Sequence, residues 1–116
     1  MYNPPTTIEA LFYQAEKENL YEKLIIQLNK DFNLANESIE LPNAILPFEL
    51  KNNLHEKIYK LIQYKFAEYL NLLYIIDISE EKIKQLDGSD LVKLSEQVTF
   101  LILKREWQKV WFRNKL

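Results

Sequence analysis

His55 is the only histidine in the chain, and the chain has no cysteine. Metal sites built from histidine and thiolate ligands, disulfides and cysteine nucleophiles therefore lack their residues, and a Ser-His-Asp triad would depend on His55 alone. Glu56 and Lys57 follow His55 directly on the polar side of a predicted helix. We interpret His55 as a solvated surface residue, and the sequence predicts no metal site.

Carboxylates are the remaining groups that could do acid-base chemistry or hold a divalent cation. Glu49 and Glu56 are seven residues apart and share a helix face, but they flank a predicted helix start, where acidic residues are favoured in any helix. With Gly88 as the one glycine, the chain has no glycine-rich phosphate loop. We therefore predict that the protein is not an enzyme and has no catalytic residue, no cofactor and no small-molecule ligand.

The C-terminal segment KREWQKVWFRNK combines aromatic and basic side chains at helical spacing. Trp107 and Trp111 are one helical turn apart, with Lys and Arg residues interleaved. Three interpretations are open: the tryptophans complete the core while the cations complement the helix C-terminus, they form a protein-protein surface, or they bind nucleic acid or an anionic membrane surface. The predicted partner-binding residues are Phe100, Arg105, Trp107, Val110, Trp111 and Arg113.

Through these residues we expect a small interaction or adaptor protein to dock a protein partner or a second copy of itself. The alternative function is nucleic-acid binding by the basic tail. Residues 104–116 hold five Lys or Arg and one Glu, a net charge of +4, and because the whole chain carries −2, residues 1–103 carry −6. A basic end favours contact with phosphates, whereas the acidic body opposes it.

Few residues in the chain suit tight turns, since it has one Gly and four Pro, and this composition favours helices over antiparallel strands. Thr6 and Glu9 have capping-box spacing, which predicts a helix start near Thr7. Apolar residues before and after Asn19 fall on nearly opposite sides of one projected helix. This pattern predicts a break near Asn19, where Asn19 and Glu22 have the spacing of a second capping box. The alternative is one long helix buried on both sides.

Residues 36–47 form a predicted connector, because Pro42 and Pro47 disfavour a helix there. Apolar residues such as Ile39, Leu41 and Ile45 make the connector too hydrophobic for a freely solvated loop. We predict that it packs across the bundle. The alternative is that it forms a groove for a partner.

Pro47 suits the first position of a helix, and the apolar stripe that follows, which includes Phe66, predicts one long helix to about Tyr74. Ser79 is expected to cap a short helix, and Gly88 to cap the end of that helix.

A final helix is expected to begin after Ser89 or Asp90 and to continue to about Asn114. Its central residues are apolar all around the axis, which indicates a central helix or a subunit interface.

The segments LNLLYIIDISEEKIKQL and LILKREWQKVWFRNK resemble a family of small, all-helical, uncharacterised bacterial proteins. The resemblance lies in apolar spacing and in the positions of Asp77, Glu81, Arg105 and Lys109. It covers roughly the C-terminal half of the chain. That family has no established activity, so the resemblance assigns no functional residue.

These patterns together predict an all-α, single-domain protein, folded as a compact bundle of four to five helices. At 116 residues with 47% hydrophobic composition, the chain can form one cohesive core. The N-terminal residues lack the features of a signal peptide, and the longest apolar run is five residues, 72–76. We expect a cytoplasmic protein that does not span a membrane.

Overall fold

A computed structural model describes residues 1–115 of the chain. Six helices are present in this range, and no strand. They are α1 (Ile8–Lys17), α2 (Tyr21–Leu34), α3 (Pro47–Tyr64), α4 (Phe66–Ile76), α5 (Glu80–Lys84) and α6 (Leu91–Lys115). The all-α single-domain prediction is confirmed, with one helix more than expected. None of the helices in residues 1–115 is long and apolar enough to cross a membrane.

The last helix, α6, is the central element of the bundle. It packs against α1, α2, α3 and α4, and it buries Val98, Ile102, Leu103, Trp107 and Val110. Because these residues point in several directions around the axis, only a helix surrounded by others can bury them all. The first of the two interpretations of its all-round apolar pattern, a central helix, is therefore confirmed.

Three helices end on a residue in the left-handed backbone conformation that usually favours glycine. These residues are Asn19 (φ 57°), Asn36 (φ 58°) and Asp77 (φ 71°). In each case the amide of the next residue donates to the carbonyl five positions before it, at 2.9–3.0 Å. Asn and Asp tolerate this conformation better than other non-glycine residues, so the chain ends its helices without using glycine.

The predicted break near Asn19 is confirmed, although Asn19 ends α1 and does not cap α2. The predicted start of α1 is also confirmed, with Thr7 rather than Thr6 as the cap: the Thr7 hydroxyl accepts from the Ala10 amide at 3.0 Å. Ser79 caps α5 as predicted. The prediction for Gly88 is wrong, because α5 ends earlier, at Lys84, and Gly88 does not have a positive φ.

The prediction of one helix from Pro47 to about Tyr74 is wrong, since Lys65 (φ −141°, ψ 61°) separates α3 from α4. In an unbroken helix, Lys65 and Glu68 would fall on the face that buries Leu54 and Ile58. The break turns α4 so that both charged side chains are exposed, while Tyr69, Leu72, Leu73 and Ile76 are buried instead. Phe66, predicted on the core stripe, is 55% exposed on α4.

The connector lies across the bundle, as predicted. Leu41 and Ile45 are buried. The Asn29 side-chain amide binds both the carbonyl and the amide of Leu41, each at 2.9 Å, and the Tyr21 hydroxyl donates to the Ile45 carbonyl at 2.5 Å. These side-chain bonds satisfy backbone groups of the connector that would be paired within a helix or a sheet if it had regular structure. The connector is therefore fixed on the bundle although it is neither helix nor strand.

Candidate functional site

The C-terminal part of α6 places two of the predicted partner-binding residues in the core. Trp107 has no exposed surface, and its Nε1 donates to Gln14 Oε1 on α1 at 3.1 Å. Val110 is 2% exposed. Of the three interpretations of this segment, completion of the core therefore describes Trp107 and Val110, and in this fold neither residue has a surface to offer a partner.

Trp111 lies one turn further on and is half-buried. Its ring packs against Tyr2, with the ring centroids 5.3 Å apart, and against Phe112 at 5.2 Å. Tyr2 also contacts Phe112, at 5.2 Å. The N-terminal segment thus covers part of the predicted partner-binding surface at Trp111, and Phe112 remains 38% exposed.

Both arginines among the predicted partner-binding residues form hydrogen bonds within the chain. Arg105 donates from Nη2 to the Asp77 carboxylate at 2.9 Å and from Nε to the Asp77 carbonyl at 3.1 Å. Arg113 Nη1 donates to Gln27 Oε1 at 2.9 Å. Lys115 forms an ion pair with Glu18 at 2.6 Å. Because Arg105 and Lys115 are already paired with carboxylates, the tail presents fewer free charges to phosphates than its sequence suggested.

Phe100, the remaining predicted residue, is half-buried, and Lys104 Nζ lies 5.2 Å from its ring centroid. It lines a cavity of about 500 Å³ between the start of α1, α3 and α6, together with His55. The interpretation of His55 as a solvated residue is wrong: it is half-buried, and its Nε2 lies 2.7 Å from the buried Ser95 Oγ. Because Ser95 Oγ donates to the Val92 carbonyl at 2.8 Å, His55 Nε2 is the donor of the pair.

A buried carboxyl pair joins α2 to α6. Asp31 is 5% exposed and Glu106 has no exposed surface. Lys109 Nζ lies 2.8 Å from Asp31 Oδ2 and 3.4 Å from Glu106 Oε1, and Gln27 Nε2 donates to Asp31 Oδ2 at 3.1 Å. Sequence reasoning missed this cluster because its acidic members are 75 positions apart, and no local spacing connects them.

The two carboxyl groups have opposite pKa shifts. Burial raises the pKa of Glu106 to about 9, and its hydrogen bond with Asp31 raises it further. Burial also acts to raise the pKa of Asp31, but hydrogen bonds from Glu106, Lys109 and Gln27 outweigh it, so the pKa of Asp31 lies below its ordinary value. At neutral pH Glu106 is therefore protonated beside an ionised Asp31, and Lys109 balances the single negative charge.

This pair has the residue types of an acid-base site but no access for a substrate, since both side chains are buried. Within residues 1–115, no group of three or more His, Cys, Asp or Glu residues gathers to hold a metal ion. The cluster links α2 to α6 inside the bundle, through the Lys109–Asp31 ion pair.

Three large apolar side chains of α4 are exposed at regular helical spacing. Phe66, Leu70 and Tyr74 are four residues apart and are 55%, 48% and 80% exposed. We call these three residues the α4 stripe. Glu68 is the only charged residue of α4.

A groove of about 280 Å³ runs beside the C-terminal half of the α4 stripe, between α4 and α5. Its apolar walls are formed by Leu70, Leu73, Tyr74, Ile78 and Ile83. Glu80 and Lys84 stand at its rim. The groove and the α4 stripe form one continuous surface, because Leu70 and Tyr74 belong to both.

No protein-family model, curated protein or solved structure matches this chain. The assignment of its residues to functions therefore depends on their geometry alone.

Sequence reasoning missed the α4 stripe because it assigned Phe66 to the core. The available signal was the apolar character of residues 66–76 on every side, which exceeds what one buried face requires. Only the break at Lys65 decides which of these residues face outward.

Proposed function

We propose that this protein is a small, non-enzymatic interaction or adaptor protein, and that the α4 stripe is its main contact surface. The observation that carries the proposal is the exposure of Phe66, Leu70 and Tyr74 on one side of a helix. Single exposed apolar residues are ordinary on protein surfaces, but a contiguous apolar face bordered by polar residues is typical of an interaction site.

The composition of the stripe supports a protein partner. Aromatic side chains are enriched at protein-protein interfaces because they bury a large area and lose few rotatable bonds. Two of the three stripe residues are aromatic, and the adjoining groove can accept a side chain of the partner. An amphipathic helix laid on α4, with its apolar residues in the groove, is the kind of contact that this shape favours.

The C-terminal part of α6 contributes less to this contact surface than its sequence indicated. Trp107 and Val110 are buried, and Arg105 and Arg113 hold hydrogen bonds within the chain. The exposed parts of Trp111, Phe112 and Phe100 remain open to a partner, and we assign them a secondary role. The absence of cysteine is compatible with action in the cytoplasm, which belongs to the same proposal.

Site-specific photo-crosslinking tests the proposal. A photoreactive phenylalanine analogue placed at Leu70 is expected to give a covalent adduct in cells that express the protein. The matched control is the same analogue at Val92, which is 47% exposed on α6, against 48% for Leu70. A second change, Tyr74→Glu, is expected to abolish the Leu70 adduct, because a charge in the stripe opposes apolar contact.

Equal adducts at positions 70 and 92, or none at position 70, would contradict the proposal. Circular dichroism of each variant shows whether the helical fold is retained. The mass of the adduct reports whether the partner is a second copy of this chain or a different protein.

A further inference from the structure

We infer that the α4 stripe binds a second copy of this chain, with the two α4 helices packed antiparallel about a two-fold axis near Leu70. This inference rests on the proposed interaction function and names its partner. Three features carry it: the surface is complementary to itself in shape, an unpaired Lys65 at one end can meet an unpaired Glu80 beside Lys84 at the other, and its area reaches the size of a small interface.

The shape of the surface supplies both a projection and a matching groove. Phe66 projects at the N-terminal end of α4 and is 55% exposed. The groove of about 280 Å³ lies at the C-terminal end, beside Leu73 and Ile83. Phe66 and Leu73 are seven residues apart, so they lie on the same side of the helix axis.

A two-fold axis that passes beside Leu70, perpendicular to α4, makes the partner's α4 run in the opposite direction. It leaves the Phe66 of one copy and the groove of the other on the same side of the interface. It therefore places each Phe66 over the partner's groove, beside the partner's Tyr74. The same contact is made twice, as a two-fold interface requires. Phe66 and Tyr74 are separated by about 12 Å along the helix at 1.5 Å per residue, a distance that leaves room for Leu70 to meet its own copy between them.

The charges at the two ends of the surface match in part under this symmetry. Lys65 precedes α4, and both Glu80 and Lys84 line the groove at the other end. None of the three forms an ion pair within residues 1–115. Antiparallel packing brings Lys65 of one copy toward the groove end of the other, where Glu80 attracts it and Lys84 opposes it, twice in each dimer. It also sets the positive end of each helix dipole beside the negative end of its partner.

The area of the surface predicts a weak dimer. Two exposed aromatic side chains and one leucine, with the groove walls, offer roughly 500 Å² per copy, and the total of about 1,000 Å² lies at the lower limit of specific interfaces. We therefore expect a dissociation constant in the range of about 1 to 100 μM, at which the monomer and dimer interconvert with concentration.

Sedimentation equilibrium of the full chain tests the inference. The wild-type chain is expected to shift from monomer to dimer as its concentration rises, and Leu70→Glu is expected to stay monomeric. Glu80→Lys is expected to weaken the dimer about tenfold, since it leaves only lysines opposite Lys65. An equimolar mixture of the Glu80→Lys and Lys65→Glu variants is expected to restore the dimer, because in the mixed dimer each residue 65 again faces an opposite charge at position 80.

The control is Lys93→Glu, a charge reversal at an exposed lysine of α6 that is expected to leave the dimer unchanged. A wild-type chain that stays monomeric up to about 1 mM would overturn the inference. So would a dimer that Leu70→Glu does not weaken, or variants whose mixture fails to recover the association. A monomer that still gives a crosslink from position 70 to a different protein would reject self-association and keep the proposed function.

Discussion

Replacement of Glu106 by glutamine perturbs the buried carboxyl pair without changing its shape. Glutamine has the geometry of the protonated acid: its Oε1 can accept from Lys109, as Glu106 Oε1 does at 3.4 Å, and its amide can donate to Asp31. The difference is that glutamine does not ionise in the unfolded chain. Glu106→Gln therefore removes a pH-dependent cost of folding and keeps the hydrogen bonds.

The magnitude follows from the pKa of Glu106, about 9 in the folded protein against 4.5 for an ordinary glutamate. Between these values the folded state holds a proton that the unfolded state has lost, so stability falls as pH rises, by about 1.4 kcal/mol per unit. At pH 7 the accumulated cost is about 3 kcal/mol, since pH 7 lies 2.5 units above the ordinary pKa. The pKa of Asp31 is lowered, so its contribution has the opposite sign: it is present above the ordinary pKa of an aspartate and is lost as pH falls through the folded value.

Urea unfolding at several pH values between 5 and 8 measures this effect. Glu106→Gln is expected to be more stable than wild type at pH 7 by up to about 3 kcal/mol, and the advantage is expected to shrink toward pH 5. The matched control is Glu96→Gln, an exposed position on the same helix, which is expected to parallel wild type. A less stable Glu106→Gln protein at pH 7, or a gap to wild type that is constant with pH, would refute the proton assignment.

Two further predictions concern the core and the helix ends. Trp107→Ala is expected to destabilise the fold by about 3 to 5 kcal/mol, because it empties a fully buried site. Trp111→Ala is expected to cost much less, because Trp111 is only half-buried. If both variants lowered the urea midpoint equally, the placement of Trp107 in the core would be contradicted. Asn36→Ala is expected to cost about 1 kcal/mol, because alanine is strained at φ 58°, and Asn36→Gly to cost nothing or to stabilise. Thermal melts of the wild-type, Asn36→Ala and Asn36→Gly proteins check this order. An alanine variant that is more stable than the glycine variant would contradict it.

Sequence reasoning succeeded where the deciding interactions are local. The helix start at Thr7, the break near Asn19 and the cap at Ser79 depend on residues within one helical turn, so the pattern of types and spacing contains the information. The connector was also predictable, because Pro47 and Pro42 act on their immediate neighbours.

The break at Lys65 shows why other features were not predictable. No proline or glycine marks it, and the apolar residues on both sides suit a helix. The break becomes necessary only once Leu54 and Ile58 face the core, because a straight helix would then bury Lys65 and Glu68. The exposure of Phe66 follows from this tertiary requirement.

The same distinction applies to the candidate site. The sequence by itself determined that the chain is helical, where most helices begin and end, and that histidine, cysteine and glycine chemistry is scarce, because composition and local spacing decide these properties. Only the tertiary structure decided that Trp107 is core and that Asp31 meets Glu106. Burial and long-range pairing depend on which helices surround α6, and contacts between residues 75 positions apart leave no local pattern in a sequence.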